Sequence, residues 1–406
     1  MAMKKNVCEL FAGVGGFHLG LSKVADWEVL WANQWEPSRK VQHAFECYVS
    51  HFPETNAINK DIALVNENPD AFGVPKYNLL VGGFPCQDYS VAATKSKGIE
   101  GKKGVLWWEI RKFLERDMPP FVLLENVDRL LKSPAKQRGR DFGVMLACFR
   151  DLGYNVEWRV INAADYGFAQ RRRRVFIFAY KQYTNYCNVV TQDLNSHKFM
   201  EMYIRKNGFF VKPFPIETIY SENEKILDQD ILEVSNHFSF GFQEAGVLIN
   251  NKIYTTRYIP KSEKPVTLGE ILESNVGEEF YLGEELDRWT YMKGAKAESR
   301  KTKDGFEYIY REGAVGFPDS LELPARTMLT SEASINRSTH VIKDPQTNRL
   351  RVLTPVECER LNGFNDEWTN TGMTQKFRYF CMGNALVVGL IERMGKELNR
   401  IFELED

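Results

Sequence analysis

The run Gly82-Gly83-Phe84-Pro85-Cys86-Gln87-Asp88-Tyr89-Ser90 sets a cysteine in a sterically defined frame behind the apolar stretch Tyr77–Val81. A thiol at a strand's carboxyl end, in electropositive surroundings, ionises and becomes a nucleophile. A scattered cysteine is ordinarily buried and inert; this frame favours the reactive reading. Further along, Leu123-Leu124-Glu125-Asn126-Val127 closes another apolar run. A carboxyl group there can act on a ring nitrogen when it holds a proton, which burial favours by raising its pKa. Standing alone, that glutamate would read as a solvated or capping group. The third group is Gln170-Arg171-Arg172-Arg173-Arg174-Val175-Phe176. Strand alternation places Arg172 and Arg174 on one face and Arg171 and Arg173 on the other, so one pair can enter a cleft while the other meets phosphate or solvent. A solvated charge run is the bland alternative, and the adjoining Val-Phe-Ile-Phe argues against it.

Two stretches nearer the start have the marks of a nucleotide-like site. Phe11-Ala12-Gly13-Val14-Gly15-Gly16-Phe17 follows the first apolar run, where glycines let backbone approach a ligand and the next helix presents free N–H groups. A tight strand-to-helix turn explains it as well, and a nicotinamide cofactor would suit it equally. Trp31-Ala32-Asn33-Gln34-Trp35-Glu36 ends the next run, with Gln34 and Glu36 as candidates for ribose hydroxyls and Trp35 for an adenine face. Asp61 and Ile62 stand where they could face the same adenine. Ordinary strand ends are the competing reading for both places.

These groups need a scaffold, and the pattern supplies one. Between Lys5 and about Tyr180, short apolar runs alternate with amphipathic stretches. The pattern predicts strands over 6–11, 28–32, 77–81, 121–124, 156–163 and 174–179, and helices over 15–25, 38–52 and 141–152. Such alternation predicts an α/β fold with a doubly wound, mostly parallel sheet whose ligands sit beyond the strands' carboxyl ends. After about Thr184 the rhythm changes to mixed charges, glycines and aromatics, with strand-like pieces at 252–258 and 306–310. A smaller, irregular α+β or β-rich domain is expected over 184–379, and helices over 354–361 and 385–398. The larger domain would comprise 1–183 and 380–406.

Length and composition are those of a globular protein: 406 residues, 43% hydrophobic and 26% charged. Seven cysteines without a CxxC pair argue against a zinc site or a disulfide framework and predict a reducing cytosol, with no metal. No apolar run reaches membrane-span length and the N-terminus lacks a signal-peptide core, so a cytoplasmic protein is expected. The net charge of −1 does not announce a nucleic-acid binder; such binding would rest on local basic patches.

Taken together, the motifs resemble those of the DNA (cytosine-5) methyltransferases, chiefly the bacterial type II enzymes of restriction–modification systems. FAGVGG resembles the family's first motif, PCQ its nucleophile motif, ENV its glutamate motif and QRRRR its arginine motif. Arg351–Phe364 resembles the penultimate motif and Gly383-Asn384-Ala385-Leu386 the last. Order and spacing match over roughly 5–180 and 322–400. Gln34 departs from the family's usual glutamate, and Tyr89 from its commoner phenylalanine.

The resemblance implies the S-adenosylmethionine-dependent methyltransferase fold, with the cofactor held by Phe11, Ala12, Gly13, Gly15, Gly16, Gln34, Trp35, Asp61, Ile62, Asn384 and Leu386. It implies that Cys86 adds to C6 of a cytosine flipped out of duplex DNA, that Glu125 donates to N3, and that Arg172, with Arg174 beside it, holds O2. Gln87 and Ser90 would meet DNA, as would Lys102 and Lys103 from the Lys- and Gly-rich stretch 93–104, read as a closing loop. Residues 185–320 would recognise the target, with Arg257, Arg288, Lys293 and Arg300 among the potential base readers. The expected partner is double-stranded DNA, bound by a monomer in the bacterial cytoplasm and nucleoid. A cognate restriction endonuclease would act on the same site without a stable complex. The rivals are a cytosine-5 methyltransferase acting on tRNA, a catalytically dead DNA-binding regulator, and a nicotinamide dehydrogenase; the last explains neither PCQ nor ENV.

Overall fold

The computed structural model describes residues 2–37, 39–84, 106–192, 194, 199–302 and 305–406. Ten strands make one sheet: β1 (Asn6–Leu10), β2 (Glu28–Asn33), β3 (Asn56–Ile58), β4 (Leu79–Gly83), β5 (Phe121–Val127), β6 (Tyr154–Asn162), β7 (Arg173–Lys181), β8 (Ile216–Ile226), β9 (Ala245–Ile249) and β10 (Lys252–Pro260). Their order across the sheet is β3-β2-β1-β4-β5-β7-β6-β9-β10-β8. The five strands from β3 to β5 are parallel and the rest pair antiparallel. The chain runs outward from β1 through β2 to β3, then returns to start again at β4 on the other side of β1. Between β1 and β4 the direction of winding switches, which is where such sheets open a crevice.

Both faces of the sheet are covered, so its parallel strands are apolar at nearly every position. Cys8, Leu10, Leu80, Val122 and Leu124 face α3 (Ile62–Glu67), α4 (Leu106–Asp117) and α5 (Arg140–Asp151) through Ile62, Ile110, Phe113 and Phe142. The alternating partners Val7, Leu79, Val81, Phe121 and Leu123 face α1 (Gly16–Ser22) and the helix Val388–Leu404 through Phe17, Leu21, Leu390 and Ile391. A further core joins Val14, Leu19 and α2 (His43–His51) to the later chain through Leu268, Met328, Leu361, Phe364 and Trp368. Among the described residues no helix is long and apolar enough to cross a membrane.

The structure departs from the sequence expectations at three points. The helix expected from residue 38 begins at His43, because Gln42 folds the preceding loop: its side chain accepts from the Glu36 N–H and donates to the carbonyls of Glu36 and Arg39. The sheet is parallel only in its first half, since β7 inserts antiparallel between β5 and β6. Most consequentially, residues 216–260 extend the large sheet instead of standing apart from it: β9 pairs with β6, and β10 and β8 follow. Among the described residues, only the hairpin β11 (Lys296–Lys301) and β12 (Glu307–Glu312) and the short pair β13 (Val341–Lys343) and β14 (Leu350–Val352) form separate sheets. The helix expected near residue 354 is present at Pro355–Asn362, its start fixed by a capping box between Thr354 and Glu357.

Candidate active site

At the end of β1 the chain turns sharply. Phe11 and Gly13 take positive φ angles of 56° and 58°, and the Gly13 N–H donates to Gln34 Oε1 at 2.8 Å. Nothing lies within 4 Å of where a Gly13 β-carbon would stand, so this backbone borders open space. The Ala12 N–H donates to the Asn33 carbonyl, tying the turn to the end of β2. Just beyond Gln34 in the chain, Trp35 is 36% exposed, a large aromatic residue left partly uncovered at the end of β2. The half-buried Glu36 has its carboxyl pushed up, first by burial. Leu386 packs 3.1 Å from the position of a Gly16 β-carbon, which brings the last motif against the first. Asn384, at the end of the helix Gln375–Asn384, is exposed. An open glycine turn, a partly uncovered aromatic residue and a polar amide suit a nucleoside-bearing cofactor.

Asp61 and Ile62 have structural occupations. Asp61 caps α3 by accepting from the Ala63 N–H at 2.9 Å, and Ile62 is 3% exposed in the core below the sheet. Gln34 likewise spends its carbonyl oxygen on Gly13; its amide nitrogen remains the group for a ribose hydroxyl. The clamp on this turn that the sequence did not announce is Trp368. Its indole N–H donates to the Val14 carbonyl at 2.9 Å, and its ring stacks on His51 at 3.5 Å.

The reacting end lies one and two strands away. Leu10 pairs with Gly82, and Gly83 with Glu125, so the ends of β1, β4 and β5 stand side by side. Glu125 Oε2 sits 3.2 Å from the position of a Gly83 β-carbon, over the strand end that leads to Cys86. Its other oxygen accepts from Arg174 Nε at 2.8 Å, with side-chain exposures of 12% for Glu125 and 15% for Arg174. Burial raises the carboxyl's pKa, against the opposing charges of Arg174 and then Arg172. The buried Asn126 donates from Nδ2 to the Phe84 carbonyl at 2.8 Å, fixing backbone two residues before Cys86. That role follows from the fold and carries no local signal.

Cys86 itself, with Gln87, Ser90, Lys102 and Lys103, lies outside the described residues, as does the expected closing loop. The other six cysteines are free and buried, and burial raises the pKa of each, Cys47 to about 12 and Cys148 to about 11. None is poised to react as a thiolate.

The arginine assignment needs correcting. Arg172, expected to hold a substrate oxygen, precedes β7 and turns inward: it is 1% exposed, with Nη1 on the Met328 carbonyl at 3.1 Å and Nη2 on the Gly383 carbonyl at 2.9 Å. Arg174 is the residue beside Glu125. Gln170 joins the same latch, accepting from the Met328 N–H and donating to Asn362 Oδ1, while Asn362 donates to the Met382 carbonyl. Gly383 is required where it stands, since a β-carbon would lie 2.4 Å from the Thr330 nitrogen. Three sequence motifs thus meet in one buried network that sets Asn384 and Leu386. Arg172→Met should destabilise the fold by about 3 kcal/mol, because two buried carbonyls lose their donors. Urea unfolding measures this; a variant with wild-type stability and only a lower kcat would restore Arg172 to the substrate.

Among the potential base readers, Lys293 is excluded by burial, its ammonium donating to the Arg337 and Thr339 carbonyls. Arg300 lies on the exposed hairpin, over the Tyr310 ring at 3.6 Å and paired with Glu298. Arg288 pairs with Glu285 on the surface. Arg257 sits 3.9 Å from Glu244.

Known proteins resemble this chain in sequence and in fold. Residues 5–400 match the family model described as C-5 cytosine-specific DNA methylase. The chain is 53% identical to the type II methyltransferase M.Sau3AI of Staphylococcus aureus, over 98% of this chain and 96% of that protein. It is 26% identical to the type II methyltransferase M.BanI of Aneurinibacillus aneurinilyticus, over 99% of this chain and 98% of that one. Among solved structures, DNMT2 of Spodoptera frugiperda superposes with a TM-score of 0.60 at 15% identity, covering 98% of this chain and 99% of that one. Dnmt2 of S. pombe superposes with a TM-score of 0.57 at 16% identity, covering 98% of each.

Proposed function

The chain belongs to the C-5 cytosine-specific DNA methylases, and from that premise we propose that it methylates C5 of a cytosine within a defined site of duplex DNA, with Cys86 as nucleophile. The observation that carries the reading is the Glu125–Arg174 pair over Gly83, at the end of the strand that delivers Cys86.

Cytosine C5 is a weak nucleophile until a group adds at C6. The Cys86 thiolate forms a bond from Sγ to C6, and the displaced ring electrons are accepted at N3 as Glu125 passes its proton there. Arg174 donates to O2, where negative charge also gathers, and its pairing with Glu125 orients both groups. S-adenosylmethionine, when bound along Gly13, Gln34, Trp35, Asn384 and Leu386, supplies the methyl group to C5. Loss of the C5 proton to a base, for which a water suffices, re-forms the C5–C6 double bond as the Cys86 thiolate leaves, and N3 returns its proton to Glu125, restoring the ring. The target carbon is buried in a stacked duplex, so the base must first leave the helix at a cost of a few kcal/mol.

In the cell this activity marks a site against a cognate restriction endonuclease, the chain working as a monomer on DNA in the bacterial cytoplasm. No observation favours the tRNA alternative. Methyl incorporation from labelled S-adenosylmethionine into duplex DNA and into tRNA decides between them: DNA should be labelled and tRNA should not. Labelled tRNA with unlabelled DNA would overturn the proposal.

A further inference from the structure

The sheet extension carries a basic cavity that none of the recognised motifs accounts for. Its volume is about 290 Å³, and it is lined by Lys132, Arg138, Ser221, Phe242, Glu244 and Arg257, among others. The register places it on the same edge of the sheet as the reacting groups. Val127 of β5 pairs with Arg174 of β7, Arg174 pairs with Ile161 of β6, and the neighbouring Val160 N–H donates to the Glu244 carbonyl at 2.7 Å. On β10, Thr256 pairs with Ala245, so Arg257 follows at the level of Glu244. Lys132 ends the short helical turn Asp128–Lys132 that leaves the carboxyl end of β5. Arg257 therefore lies four strands from Glu125 along one edge, about 19 Å at ordinary interstrand spacing.

Charge is concentrated there. Between Arg129 and Arg140 the sequence holds Arg129, Lys132, Lys136, Arg138 and Arg140, and no carboxylate. Lys132 and Arg138 are exposed, and neither makes an ion pair among the described residues. Glu244, 3.9 Å from Arg257, is the one carboxylate lining the cavity, so its cations outnumber its anions three to one. In a chain of net charge −1, such a cluster is local and not a reflection of the whole surface.

We propose that Lys132, Arg138 and Arg257 form a phosphate-binding cradle for the backbone of the DNA flank beside the target base. This rests on the reading of the chain as a DNA methyltransferase. A duplex that delivers an extruded base to Glu125 lies along this edge, and about 19 Å corresponds to about six base pairs of helix rise. Lys132 and Arg138, with no ion-pair partner among the described residues, lose little in meeting phosphate, and Arg257, only loosely paired with Glu244 at 3.9 Å, can turn to it; such contacts position the duplex without reading sequence. Arg257 is thus a backbone contact rather than a base reader.

The test measures binding to short duplexes of different flank length, with and without the target site, over a range of salt. Wild type should gain affinity when either one or the other flank grows from about three to about eight base pairs. K132A/R138A and R257A should lose that gain, bind all duplexes roughly tenfold more weakly, and flatten the slope of log K against log salt by about one unit per lost contact. R138K should restore most of the loss. An unchanged slope, or a loss confined to duplexes containing the target site, would overturn the cradle. If wild type neither binds nor methylates duplex DNA, the fault lies instead with the proposed function.

Discussion

Cys86→Ala should lose methyl transfer to DNA by a factor on the order of 10⁴ or more, while binding S-adenosylmethionine as wild type does. The size follows from the ring chemistry. Without a bond at C6, C5 stays too weak a nucleophile to take the methyl group at a useful rate, and no group among the described residues is placed to substitute. The six other thiols are buried and raised in pKa, so none is placed to take over. Cofactor affinity should hold because the determinants proposed for it lie on the turn after β1 and on the helix end at Asn384, away from the strand that leads to Cys86. A duplex carrying 5-fluorocytosine supplies an independent readout: fluorine cannot leave C5 as a proton does, so the adduct through Cys86 accumulates. Wild type should trap covalently and the variant should not. Appreciable turnover by the variant, or trapping through another residue, would sink the assignment.

The reacting residues were legible because each sits where an apolar run stops or starts, and either is a local event. Cys86 and Glu125 follow such a stop, and the arginine run stands where the next apolar run, Val175–Phe178, begins. Arg172 and Arg174 could not be told apart for a related reason. Strand parity gives both one face, but β7 begins only at Arg173, and Arg172 answers to carbonyls at 328 and 383 that are far away in sequence. Asp61 has a second task that its place after the third strand did not announce, since a carboxylate ahead of Ile62–Glu67 has a helix to cap. The attachment of β8, β9 and β10 to the large sheet left no local trace. Ala245–Ile249 is apolar on both faces, as a central strand must be, yet its partner Val156–Arg159 lies some way back along the chain and only folding joins them. Asn126 and Trp368 act by hydrogen bonds to distant backbone, at Phe84 and Val14, and no spacing rule could have found them.

Glu125→Gln should lower kcat by about 10²- to 10⁴-fold and abolish the alkaline limb of the pH–rate profile. The sign follows from which form works. Glu125 must carry a proton to give to N3, and burial raises its pKa, so activity is full below that raised value and falls as pH rises through it. Cys86 acts as thiolate and contributes in the opposite sense, an acidic limb that rises with pH, so wild type should show a bell. Glutamine can still donate a hydrogen bond but has no proton to yield, so the descending limb disappears while the ascending one remains. Arg174 offers the complementary test. Its guanidinium, 2.8 Å from the carboxylate, holds the Glu125 pKa below where burial alone would leave it. Arg174→Leu should therefore move the alkaline limb to higher pH, even as kcat falls about 10²- to 10³-fold for want of a donor at O2. A residue that merely braced the fold would lower the plateau and leave both limbs in place. Profiles of kcat measured at saturating DNA and cofactor separate the outcomes, and an alkaline limb that survives in Glu125→Gln would assign the proton at N3 to some other group.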